Sequence, residues 1–114
     1  MEFSYEIEKK QDHTTIKIKG NLIEKGQAEA LLKDIEELIA NESYRFVVNM
    51  EEFKYMNSTG LGILLNILTK ARKAGGEAVI CAVPDKIKDL LVVTKLNNVF
   101  SVVEDESLAV QTLN

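Results

Sequence analysis

A chain of 114 residues with 46% apolar and 28% charged side chains is the size of one folded domain, 1–114, able to build a core and free of the bias that marks disorder. No apolar run approaches the roughly 20 residues of a membrane span, and the N-terminus lacks a basic, then apolar, then small-residue leader, so we expect a cytoplasmic protein. The formal charge of −4 argues against a nucleic-acid binder.

Phe3, Tyr5 and Ile7 alternate with Ser4, Glu6 and Glu8, and after a polar turn Ile16 and Ile18 alternate with Lys17 and Lys19. This period of two predicts a hairpin with one wet face. His13, in its turn, is the only histidine of the chain. It therefore has no metal partner or catalytic dyad among histidines, and we expect it at the surface. Ala28, Leu31, Leu32, Ile35, Leu38 and Ile39 then repeat at helical spacing over about 15 residues. The adjacent Glu36 and Glu37 point in different directions on that helix and cannot share a proton.

Phe46, Val47 and Val48 read as a strand buried on both faces. An eight-residue loop is expected next, and then Asn57-Ser58-Thr59-Gly60 opens a helix carrying Leu61, Leu64, Leu65 and Leu68 inward, with Ile63 and Ile67 widening that face, and Asn66, Thr69, Lys70 and Lys73 outward. The outward stripe projects back through Gly62 to Thr59 and Ser58. Asn57 or Ser58 can cap the helix. Gly75-Gly76 closes it, and Glu77–Val83, with the lone Cys81, repeats the buried-strand pattern. A single cysteine excludes an internal disulfide and a cysteine-rich zinc site. Two such strands joined by a helix must be parallel if they are neighbours, so Phe46 to Val83 is expected to form a βαβ unit.

Pro84-Asp85 opens a third helix with Ile87, Leu90 and Leu91 inward; Leu96-Asn97-Asn98 turns the chain. Phe100 and Val102 suggest an edge strand, and Asp105 starts a last helix. The expected order is ββαβαβαβα, an α/β fold with a mixed sheet of four to five strands and about four helices.

Known chemical motifs are missing. Gly60-Leu61-Gly62 is followed by Leu65 where a dinucleotide fingerprint needs a small residue, no Gly-Lys-Ser/Thr phosphate loop occurs, and Met56 stands where a hydrolase elbow has glycine. Nothing marks Ser58 as a nucleophile. We expect no catalysis, no cofactor and no metal.

The string Met56-Asn57-Ser58-Thr59-Gly60-Leu61-Gly62, after a strand and an acidic-aromatic loop and before an apolar helix ending in Gly75-Gly76-Glu77, resembles the signature of the STAS family, the anti-sigma factor antagonists. The resemblance runs from the first hairpin to the last helix and implies the STAS fold. It implies that Ser58 is the phosphorylation site, with Thr59 the neighbouring hydroxyl. It further implies that Ile23, Met56, Asn57, Ser58, Thr59, Gly60, Leu61, Gly62 and Ile63 form a surface for an anti-sigma factor that is also a serine kinase. In the family, the unphosphorylated form binds that kinase and frees the sigma factor, and a phosphatase resets it. The family pattern has aspartate where this chain has Ile23, Asn49 and Asn57. A STAS scaffold serving a signalling or transport complex without phosphorylation is the alternative, and a weak nucleotide site at the Ser58 helix mouth is a third reading.

Overall fold

The computed structural model describes residues 2–113. Strands β1 (Ser4–Lys9) and β2 (Thr14–Leu22) form the expected antiparallel hairpin, with Ser4 opposite Lys19 and Lys9 opposite Thr14. A 3-10 turn at Lys25–Ala28 leads into α1 (Glu29–Ala40). There follow β3 (Arg45–Asn49), β4 (Phe53–Met56), α2 (Ser58–Lys73), β5 (Glu77–Cys81), α3 (Asp85–Val93), a 3-10 turn at Leu96–Asn98, β6 (Ser101–Val103) and α4 (Glu106–Leu113).

The mixed α/β sheet runs β1-β2-β3-β5-β6, and β3 and β5 are parallel neighbours, as the βαβ reading requires. One strand was not legible. The expected eight-residue loop contains β4, so the described sheet has six strands rather than four or five. The reason lies in β2, which is nine residues long. Its first half pairs with β3 and its last three residues pair in parallel with β4, across a register shift between Gly20 and Asn21. The chain turns at Asn49, whose Oδ1 accepts from the Glu51 amide at 2.9 Å, and continues along β2 in the same direction. Within β4 only Phe53 and Met56 point inward, so its four residues carry no period-two signal.

Both faces of the central strands are covered. Phe46, Val48, Ala78 and Ile80 join Ile16, Ile18 and Leu22 in the main core beneath Leu31 and Ile35 of α1, Leu61, Leu64, Ile67, Leu68 and Ala71 of α2, and Ile87 and Leu91 of α3. Val47, Val79 and Cys81 face the other way, against Ala109 of α4. Thr15 Oγ1 donates to Glu106 Oε2 at 3.2 Å and pins that helix to β2. His13 departs from expectation: it is half-buried, and its Nε2 is covered without a hydrogen-bond partner among the described residues. The hairpin turn is closed by the Lys10 amide donating to the His13 carbonyl at 2.8 Å, and His13 shares a recess with Glu42, Ser43, Tyr44 and Arg45 rather than standing free in solvent.

Tyr5 ties β1 to α1. Burial first, and then the hydrogen bond that its hydroxyl donates to Asp34 Oδ2 at 2.6 Å, push the phenol from 10.0 up to about 12. The folded value is the raised one, so this stabilisation is fully present below pH 10 and is lost as the pH climbs toward 12, where the unfolded chain has released a proton that the folded chain retains. Tyr5→Phe is expected to flatten the fall of urea stability with pH over that window relative to wild type. Parallel curves would show that the contact contributes nothing to alkaline stability.

Candidate functional site

The first turn of α2 lies over the ends of β2 and β4, and one missing side chain permits it. A Cβ on Gly60 would come 2.5 Å from the Leu22 carbonyl oxygen and 2.8 Å from Met56 Cβ, so any larger residue would lift the helix off the sheet. At the far end, the Gly76 amide donates to the Ala71 carbonyl and the Gly75 amide to the Arg72 carbonyl, with Gly75 at φ +90°. This Schellman closure fixes where the helix stops.

Between the two candidates for the cap, the structure selects Asn57. Its Oδ1 accepts from the Gly60 amide at 3.1 Å, while its Nδ2 donates to the Ile23 carbonyl at 3.1 Å. One amide side chain thereby joins the start of α2 to the segment after β2. Gln27 orders the same segment: its Oε1 accepts from the amides of Ile23 and Glu24, both at 2.9 Å, and its Nε2 donates to the Asn21 carbonyl. Ser58 follows the cap, exposed, and Thr59 beside it is exposed as well. The first turn of α2 carries no acidic residue, so the positive end of its dipole has no local carboxylate to offset it.

The expected docking residues divide into two sets. Ile23, Ser58, Thr59 and Gly62 are exposed and Asn57 is half-buried, and these form a rim. Met56, Gly60, Leu61 and Ile63 are buried, which corrects their expected place on a contact surface. They point into the core because they are the inward face of α2 and β4, and they support the rim from below. The outward stripe Asn66, Thr69 and Lys73 is exposed, in line with the period of the helix. Gly62 differs from Gly60: a Cβ there meets nothing within 4 Å. A glycine in an exposed helix interior costs about 1 kcal/mol relative to alanine, and the fold gives nothing back for it.

Sequence reasoning missed the contribution of α3. A cleft of about 470 Å3 opens beside Ser58, lined by Tyr55 and Met56 of β4, by Asn57, and by Lys86, Ile87, Asp89, Leu90 and Val93 of α3. Tyr55 is 53% and Val93 80% exposed. Two apolar side chains so open to water, flanking one hydroxyl, are the nearest thing to a signal: Val93 lies off the inward stripe of α3.

The STAS domain model matches residues 4–109, which is nearly the whole chain. The chain belongs to the STAS family. Its STAS fold is shared with an anti-sigma factor antagonist from Mycobacterium paratuberculosis, at 18% identity and a TM-score of 0.81 over 97% of this chain and 93% of that one. It is shared also with the Bacillus cell fate determinant SpoIIAA in its phosphorylated form, at 16% identity and a TM-score of 0.74 over 97% of this chain and 100% of that one. SpoIIAA in its unphosphorylated form matches at 15% identity, with the same TM-score of 0.74 over 96% of each chain. Among the described residues of this STAS domain, no helix is long and apolar enough to cross a membrane.

Two glycines, two positions apart on one helix of the STAS domain, are thus expected to respond with opposite sign. Gly60→Ala should lower stability by about 1–3 kcal/mol through overpacking, whereas Gly62→Ala should raise it by up to about 1 kcal/mol. Thermal unfolding of the two variants beside wild type checks this, and a loss at both positions would contradict the geometry.

Proposed function

We propose that this protein is an anti-sigma factor antagonist, a non-enzymatic and phospho-switchable binding module of the cytoplasm. With Ser58 unphosphorylated it binds an anti-sigma factor that is also a serine kinase, and the sigma factor is freed. Phosphorylation of Ser58 ends the complex, and a cognate phosphatase restores it. The observation that carries this reading is the division of labour at the start of α2: Asn57 caps the helix, and Ser58 is left exposed with no capping duty.

A phosphate on Ser58 would bring about −1.5 to −2 charges to a rim made of Ile23, Asn57, Thr59 and Gly62. The folded chain tolerates this, because the charge falls at the positive end of the α2 dipole and away from the buried floor. A partner packed on the rim does not: burying an unmatched dianion costs several kcal/mol, and about 2.7 kcal/mol already lowers affinity a hundredfold. The equal likeness of this chain to phosphorylated and unphosphorylated SpoIIAA supports a switch that acts on the surface and spares the fold. Bare backbone at Gly62 suits a partner that comes close to the helix.

Intact-mass measurement after incubation with ATP and kinases from the native cell is the test. A gain of one phosphate, abolished by Ser58→Ala and retained by Thr59→Ala, is expected. No gain with any such kinase would overturn the switch and leave a STAS scaffold that works without phosphorylation.

A further inference from the structure

Lys86 has no evident reason to stand where it does. It is the second residue of α3, beside the positive end of that helix's dipole, where a cation is disfavoured. Ion pairs among the described residues engage Lys10, Lys17, Lys19, Lys70 and Arg72, and not Lys86. It is exposed, and it lines the same cleft as Ser58. Lys86 carries its ammonium on a flexible four-carbon stem, and a phosphoserine at position 58 would open onto the same cleft.

We propose that Lys86 is the internal counter-ion of phosphorylated Ser58, so that modification draws the α3 side chain across the mouth of the cleft. The proposal rests on the reading of Ser58 as the modified residue. The charged groups that line the cleft are Lys86 and Asp89, one of each sign, with Asp85 one residue before Lys86 on α3. The unmodified cleft is therefore near neutral, with Tyr55 and Val93 open and Leu90 half-buried. A dianion on Ser58 is repelled by Asp89 and attracted by Lys86, whose flexible stem lets it approach while Asp89, on a shorter side chain, stays behind. Once paired, the lysine stem lies over apolar surface that the unmodified protein offers to a partner. Phosphorylation then changes the shape of the docking face as well as its charge, with no movement of the backbone. An ammonium that meets a phosphate in a partly screened cleft also lowers the affinity of that phosphate for its second proton.

The experiment installs phosphoserine at position 58 during translation, which bypasses any kinase, and follows the phosphate by 31P NMR as the pH is varied. Wild type is expected to titrate at lower pH than phosphoserine in an unstructured peptide. Lys86→Gln should raise the midpoint by about 0.5 pH, a threefold gain in proton affinity. Lys86→Arg should restore it, and Asp89→Asn should lower it further. Lys86 is exposed, so none of these changes threatens folding. Identical midpoints in wild type and Lys86→Gln would overturn the pairing. The two readings fail separately: a kinase that modifies Ser58 alongside identical midpoints removes only the counter-ion, whereas a lysine-dependent midpoint with no kinase able to act removes only the switch.

Discussion

The arrangement at the rim depends on how closely α2 can approach the sheet. Because Gly60 has no side chain, the helix rests directly on the Leu22 carbonyl and on Met56, at distances that no Cβ would allow. That contact fixes where the helix begins, and so where Ser58 emerges. The cap then falls to Asn57, which is the residue able both to accept from Gly60 and to donate to Ile23. An aspartate in its place would keep the first bond and lose the second, since a carboxylate has no proton to donate. The two departures from the family pattern at positions 23 and 57 are thus in contact, and together they make a rim with no carboxylate of its own.

Much of this was readable from residue spacing. Leu61, Leu64 and Leu68 announced α2 through their period, Gly75-Gly76 announced its end, and the apolar runs at Phe46–Val48 and Glu77–Val83 announced two parallel strands buried on both sides. Local pattern was informative there because one face of each element is uniformly buried. It failed for β4, where Phe53 and Met56 are inward and Lys54 and Tyr55 outward, and where the pairing depends on a long-range register with the end of β2. It also failed for the cleft beside Ser58. No spacing within the chain brings Lys86 and Val93 next to Tyr55; only the packing of α3 against the sheet does. Membership of the expected docking surface was blurred for the same reason. A contiguous motif, Met56 to Ile63, winds through a helix turn and alternates between solvent and core, so proximity in sequence did not mean a shared face.

The two layers of helix differ in weight. Three helices and most large apolar side chains lie on one side of the sheet, while α4 covers the other through Ala109, Val110 and Leu113 and the Thr15 to Glu106 hydrogen bond. The rim belongs to the heavier side. Its scaffold is held by deep burial at Leu22, Met56, Leu61 and Leu64, so the position of the hydroxyl is set by the least deformable part of the molecule. Such support lets a small chemical change act at one point without being absorbed by relaxation of its surroundings.

The separation between an exposed rim and its buried floor has an evolutionary reading. Residues 23, 58, 59 and 62 touch the outside, while 56, 60, 61 and 63 are committed to the interior. Substitutions in the first set change the surface at little expense to folding, whereas substitutions in the second disturb the packed floor. Duplicates of such a chain can therefore diverge at a few surface letters while every copy inherits the same chassis.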